Sequence, residues 1–408
     1  MKWIVWLLAS AYSFYEFFVR VGPSVIVSDL MKEFNIEATD IGSISASYFY
    51  AYAFMQIPVG ILLDRFGTRI LLTAAAFTCG LSSICFGLSS NELNAVLSRV
   101  LMGASSAFGF IGMIYVTAQW FEPKKTSLLI GIGNSLGTFG AAIGAAMLGS
   151  LVVLWGWRHS FIVIGLIGFA LALFIAIFAK NKVQATTHKQ STLKELLQGL
   201  ILIMKNAQMW VIAVVAFLAY AAFDAFGSIW GNTFLQNVYH LDYKQAGLAT
   251  SMIFIGLICG GPLWGYIAKH AHHKKLVLFI SSLISLLAIL PIIYLTLPLE
   301  LCIVLIFVVG FCAGGQLITF SMAIVKNPCH AKATAVAFVN FMVFVGVSVV
   351  QPLVGILLDL MWDKTLIKGI PHYSEDNYRY ALVVLPITLL LACLLTLKID
   401  TKSLEKTH

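Results

Sequence analysis

Gly60-Ile61-Leu62-Leu63-Asp64-Arg65-Phe66-Gly67-Thr68-Arg69 sets three charges and two glycines between two apolar runs, 41–63 and 69–89. Each run is long enough to cross a hydrocarbon core, which takes about 20 residues as helix. The polarity is confined to the turn, so the stretch reads as a tight loop joining two membrane spans. Scanning outward from it gives twelve such runs, roughly 3–27, 41–63, 69–89, 92–119, 127–153, 159–179, 208–232, 245–267, 276–296, 299–324, 333–357 and 379–398. Barrel strands are shorter and alternate in polarity, so only helices satisfy the backbone of runs this long in lipid.

Composition points the same way. Of 408 residues, 60% are hydrophobic and 11% charged, whereas a soluble protein carries about 25% charged residues. A net charge of +8 would raise nucleic-acid binding in a soluble protein; in a membrane protein it reflects basic cytoplasmic loops, and no nucleic-acid partner is expected. The seven cysteines are scattered without a CxxC pair, so neither a disulfide framework nor a metal site is expected. The run from Trp3 continues past Ile26 and contains Glu16 and Arg20, so it is expected to be a retained first span rather than a signal peptide.

Counting Lys and Arg sets the expected orientation. With the N-terminus inside, cytoplasmic segments hold 18, the opposite face six and the spans two, a strong positive-inside bias. Both termini are therefore expected in the cytoplasm. The halves also repeat: Gly60 and Asp64 match Gly265 and Lys269, Gly103 matches Gly310, Pro123 matches Pro328 and Asn134 matches Asn340, at offsets of 205 to 207 residues. The expected organisation is an all-α polytopic membrane protein with twelve transmembrane helices in two pseudo-symmetric six-helix bundles, 1–179 and 207–398. A cytoplasmic linker, 180–206, would join them, and a tail, 399–408, would follow. Two such repeats with a site between them at mid-membrane is transporter architecture.

The 60–69 stretch resembles the signature loop of the major facilitator superfamily, G-x-L-x-D-R-x-G-x-R. In that reading Gly60 allows close helix approach, Asp64 accepts from an opposing helix or base, and Arg65 and Arg69 anchor the cytoplasmic end. Leu97–Gly103 resembles the family's R-x-x-x-G element through Arg99, with Met102 where glutamine is usual. These five residues, Gly60, Asp64, Arg65, Arg69 and Arg99, form the expected conformational gate. Span five carries GxxxG spacings at 133/137 and 140/144, a close-packing face, and resembles the family's antiporter motif with Thr138 in place of its proline. The same span holds a formal G-x-S-x-G at 133–137, but that pattern needs a strand-to-helix turn with a nearby His and acid, and no enzyme activity is expected. Within Tyr48–Arg69, Tyr52, Gln56, Pro58 and Gly60 resemble the Y-x-x-x-Q-x-P-x-G of the superfamily's organic-anion (anion:cation) symporters. Those carry an Asp-Arg pair in span one; Arg20 fits the arginine, whereas Val19 stands at the aspartate, and the acid they carry in span four is missing from Ala104–Ala107.

Glu16 and Asp224 are the acids deep inside apolar runs, at equivalent depths of spans one and seven. An intramembrane ionisable group costs at least ~2.5 kcal/mol on insertion scales and is a functional candidate by default. Arg20, four residues after Glu16, shares its helix face. Glu16 and Asp224 are the expected proton carriers. Arg20, Tyr48, Tyr52, Gln56, Asn134, Tyr220, Gln316 and Asn340 are the expected substrate contacts, as polar or aromatic residues near the same depth. Lys269–Lys275, with three histidines, reads as a cytoplasmic anchor, and Ser191–Lys205 as an amphipathic helix on the membrane surface.

Together these features predict a secondary active transporter of a small organic anion or zwitterion, working by proton-coupled symport and alternating access. It would be a monomer in a bacterial inner membrane, needing no cofactor beyond the driving proton. Export of a metabolite, drug or siderophore stays open as the alternative, and a transport-inactive sensor more distantly.

Overall fold

The computed structural model describes residues 1–181, 193–270, 273–328, 332–367 and 369–400. Most of the expected tail, residues 182–192 of the linker and His272 lie outside the described residues.

Helix dominates because a backbone in lipid can satisfy its own polar groups no other way over such lengths. The first half contains α1 (Lys2–Arg20), α2 (Val27–Phe34), α3 (Ala38–Phe66), α4 (Thr68–Gly87), α5 (Glu92–Trp120) and α6 (Pro123–Phe178). A short α7 (Leu193–Met204) follows. The second half contains α8 (Ala207–Ala225), α9 (Gly231–Val238), α10 (Tyr243–His270), α11 (Lys274–Tyr294), α12 (Leu299–Ala313), α13 (Ile318–Val325), α14 (Lys332–Met361), α15 (Glu375–Ala381) and α16 (Val384–Thr396). A two-residue antiparallel ladder, β1 (Leu366–Ile367) with β2 (Ile370–Pro371), lies between α14 and α15.

Among the described residues, ten helices are long and apolar enough to cross a membrane. The 29-residue α3 is not one of the ten, and Leu128–Phe178 counts once although it runs 51 residues. The latter holds the expected fifth and sixth runs. At about 1.5 Å per residue it would far exceed a hydrocarbon core of ~30 Å, and its backbone leaves the helical region at Gly156, with φ 74° and ψ 159°. Several helices are interrupted at depth: α8 passes into α9 through a π turn, Phe226–Trp230, and α12 into α13 through a 3-10 turn, Gly314–Leu317.

Small residues set the packing. A Cβ on Gly103 would stand 2.0 Å from the Tyr48 carbonyl oxygen, and one on Gly310 would stand 1.8 Å from that of Ile253. The matched glycines of the two halves thus seat α5 on α3 and α12 on α10 in the same manner. The glycine face of α6 closes on α1, where a Cβ at Gly140 would meet the Phe14 carbonyl oxygen at 2.2 Å. That is helix packing, which accounts for the G-x-S-x-G spacing.

The halves meet along α3 with α14 and α6 with α10. Their tight contacts lie at the end away from the termini, where a Cβ at Gly42 would meet the Pro352 Cα at 2.6 Å and one at Gly247 the Ala145 carbonyl oxygen at 2.3 Å. Toward the terminal end of the same helices, a Cβ at Gly60, Gly131 or Gly265 would find nothing within 4 Å among the described residues. Among those residues, the two halves are closed opposite the termini and apart beside them.

Candidate functional site

The site grows from the last turn of α1. Glu16 and Arg20 lie one turn apart, and both are buried, at 0% and 2% exposure. Arg20 Nη2 donates to Glu16 Oε2 at 3.4 Å, and the Tyr48 hydroxyl donates to the same oxygen at 3.1 Å. At that separation and an effective dielectric near 20, the Coulomb attraction is about 5 kcal/mol, which offsets only part of the several kcal/mol that each of the two ions loses on leaving water. The pair is therefore not strongly held and can be exchanged for another partner at modest cost. Arg20 Nε and Glu16 Oε1 have no protein partner, so each keeps hydrogen-bonding capacity for a ligand or a proton.

Aromatic rings surround the guanidinium. Its carbon lies 4.1 Å from the ring centre of Phe17, 5.2 Å from Tyr52, 5.4 Å from Phe344, 5.7 Å from Phe49 and 5.9 Å from Tyr48. All are within the ~6 Å reach of a cation–π interaction. Phe344 belongs to α14, so the cage spans both halves. Tyr52 and Tyr220 both face it, at 4.5 Å and 6.4 Å between ring centres. One turn along α3, Gln56 Oε1 accepts from Asn340 Nδ2 at 2.9 Å, a polar bridge between the halves beside the cage.

Asp224 is buried at 1% exposure on α8 and accepts from Gln351 Nε2 at 2.9 Å. Arg20 is the cation that acts electrostatically on both Glu16 and Asp224. The Gln351 carbonyl oxygen in turn accepts from Trp230 Nε1 at 2.9 Å, tying the π turn to α14.

The structure thus brings Arg20, Glu16, Tyr48, Tyr52, Tyr220, Gln56 and Asn340 together around one point between the halves, with Asp224 beside them. Gln316 is buried, with a local contact to Thr319 at 3.5 Å, and Asn134 is half-buried on α6 with its carbonyl oxygen accepting from Thr138; no described contact joins either to the cage. Phe17, Phe49, Phe344 and Gln351 belong to the site and sequence reasoning missed them. Gln351 is an amide inside an apolar run, the same signal that singled out Asn340. The phenylalanines carry no comparable signal among 29.

The expected gate residues separate. Arg99 is fully buried and away from the 60–69 loop, donating to the Val19 and Arg20 carbonyl oxygens at 3.3 and 3.2 Å with its guanidinium 4.5 Å from the Tyr48 ring. It occupies the C-terminal end of α1, where carbonyls lack helical partners and a cation is favoured. Arg69 donates from Nε and Nη2 to the Ala176 carbonyl oxygen at 2.8 and 2.5 Å, and its backbone N–H donates to Asn181 Oδ1 at 2.9 Å. Gly67 turns the loop with φ 78°, the left-handed region glycine favours. Arg65 is exposed over Phe66. The side chain of Asp64 lies outside the described ones.

Comparison with known proteins places the chain. Relatives include the uncharacterized transporter YybO of Bacillus subtilis, 29% identical over 298 residues that cover 66% of this chain and 67% of the relative. The probable galactarate/D-glucarate transporter GarP of Escherichia coli is 32% identical over 43% of this chain and 40% of the relative. The hexuronate transporter of Escherichia coli is 26% identical over 65% of each. The match thus spans between 40% and 67% of the length of these curated relatives. In fold, the chain resembles a bacterial homologue of the human lysosomal transporter Spinster, solved inward-facing and occupied, with a TM-score of 0.82 at 16% identity over 98% of this chain and 97% of that one. It also resembles the nucleoside transporter NupG, with a TM-score of 0.77 at 16% identity over 97% and 99%. The family description Major Facilitator Superfamily matches residues 6–350 and 212–407, and over that extent the chain belongs to the Major Facilitator Superfamily.

Proposed function

We propose that the protein is a secondary transporter that takes up a small organic acid, of the sugar-acid class, by proton-coupled symport. Twelve spans in two six-helix bundles, 1–179 and 207–398, would rock about the Arg20 cage. The carrying observation is Arg20 itself: a buried guanidinium held by one carboxylate in an aromatic cage between the halves. A substrate carboxylate competes with Glu16 for the planar fork of donors, which suits bidentate binding. Hydroxyl groups on the same substrate fit the Gln56–Asn340 bridge, since both amides donate and accept. The relatives named for galactarate, D-glucarate and hexuronate point to the same substrate chemistry.

Proton coupling follows from the exchange. Glu16 stripped of Arg20 is a buried carboxylate without its cation, and burial then favours the protonated form. By linkage, the proton favours the anion as much as the anion favours the proton. Asp224 is the second candidate carrier, within electrostatic reach of the same guanidinium.

The test is calorimetric binding of D-glucuronate and D-galactarate to purified protein, with a neutral sugar as control, across pH. Arg20→Lys is expected to weaken acid binding at least ~10-fold, because an ammonium lacks the bidentate fork. Glu16→Gln is expected to bind the acid with little pH dependence. Unchanged binding in Arg20→Lys and Arg20→Ala would remove the organic-acid reading.

A further inference from the structure

Beyond the cage, an unassigned side-chain cluster joins the two halves at the end opposite the termini. Asp359, two residues before the end of α14, reaches across to the first turn of α3. Its Oδ1 accepts from the Ala38 backbone N–H at 3.1 Å, and its Oδ2 accepts from the Thr39 N–H at 2.7 Å and the Thr39 hydroxyl at 2.5 Å. The Tyr373 hydroxyl donates to Oδ1 at 2.6 Å and accepts from the Ala38 N–H at 3.0 Å. Beside them, Lys364 pairs with Glu37 at 3.2 Å.

The physics of a helix start makes this junction conditional. The first N–H groups of a helix have no partner within it, and a carboxylate there satisfies them and meets the positive end of the dipole. Within α3, Glu37 and Asp40 form a capping box, which leaves the Ala38 and Thr39 N–H groups to Asp359 and Tyr373. The supply comes from the other half, so it exists only while the halves touch at this end. Contact is close enough that a Cβ at Gly355 would meet the Ala38 carbonyl oxygen at 2.4 Å. The five residues that end in this carboxylate, Gly355-Ile356-Leu357-Leu358-Asp359, repeat Gly60-Ile61-Leu62-Leu63-Asp64. One copy closes α3 at the terminal end, the other closes α14 at the opposite end.

We propose that Asp359, with Thr39 and Tyr373, is the latch that holds the end opposite the termini closed, and that its release opens that end during the transport cycle. The latch rests on the alternating-access reading above, but its test uses no substrate, so its failure would leave the organic-acid assignment standing.

Ser45 reports the state of this interface. It is fully buried, and it lies on the face of α3 that carries Gly42 and Phe49, both set against α14. The full-length chain carrying Ser45→Cys is reconstituted in vesicles and exposed, from the side opposite the termini, to a membrane-impermeant maleimide. Labelling is followed residue by residue by mass spectrometry. Adding Asp359→Asn is expected to speed labelling at position 45 at least ~10-fold, a population shift of about 1.4 kcal/mol. Cys79 and Cys393, both buried, should stay unlabelled. Thr39→Val, which removes only the hydroxyl, should give a smaller increase of a few-fold. Unchanged labelling at position 45 in both variants overturns the latch. Should Asp359→Asn also expose Cys79 and Cys393, that variant has unfolded, and Thr39→Val decides alone: a selective rise supports the latch and no rise overturns it.

Discussion

Two arginines are buried within the first half, and the same side chain does different work at each. Arg99 gives both terminal guanidinium nitrogens to backbone carbonyls of α1, so removing it takes a charged donor from each of them in a dry core. Hydrogen bonds to charged groups contribute about 1.5–3 kcal/mol each, and Arg99→Met is expected to destabilise the protein by at least ~2 kcal/mol. Thermal unfolding in detergent checks this, with Arg20→Lys as the comparison: Arg20→Lys should move binding far more than melting temperature. Equal losses of stability in the two variants would erase the distinction. From sequence alone both were intramembrane charges within reach of a helix end. Arg20 could be assigned to the site because Glu16 stands one turn before it, whereas the partners of Arg99 are backbone atoms of another helix, which no side-chain pattern reveals.

The face of α3 that meets α14 carries Ala38, Gly42, Ser45, Phe49, Tyr52 and Gln56, spaced three and four apart as helix neighbours require. Two polar members of that face, Tyr52 and Gln56, are legible because polarity inside an apolar run is costly. Phe49 and its partner Phe344, 6.1 Å away, are not, since a phenylalanine reads alike whether it faces lipid, core or a guanidinium. Gly60 continues the face toward the terminal end, and there the sequence expected close packing where the structure shows open space. That difference yields a prediction at the level of the helix. Gly60→Ala should leave stability of this conformation within ~0.5 kcal/mol or raise it slightly, because alanine is the better helix former and meets no neighbour. If the terminal end closes during the cycle, the added methyl obstructs it, and transport in vesicles should slow several-fold. Full-speed transport by Gly60→Ala would mean that α3 and α14 do not close on each other at this glycine.

At the scale of the whole molecule, sequence periodicity defines which helix faces are buried but not which end of the cleft is shut, because the same faces serve both arrangements. The structure supplies that choice: closed at Asp359, apart at Gly60. Which side of the membrane this represents depends on orientation, and here the argument returns to charge. Basic residues favour the terminal side by 18 to six, and a bias of that size sets orientation in polytopic proteins. With the termini in the cytoplasm, the cleft opens inward and Lys364, exposed on the loop after α14, faces outward. A Lys364→Cys variant in intact cells should react with an impermeant maleimide added outside, while Lys205→Cys, at the end of α7, should react only after the membrane is permeabilised. The opposite pattern would invert the topology, and the same structure would then be open to the outside. Labelling of both from one side would break the odd number of crossings expected between the linker and the loop after α14, and with it the twelve-span organisation. Only the first pattern makes the Asp359 junction an outer gate, the place where an acid arriving from outside would first have to part the two halves.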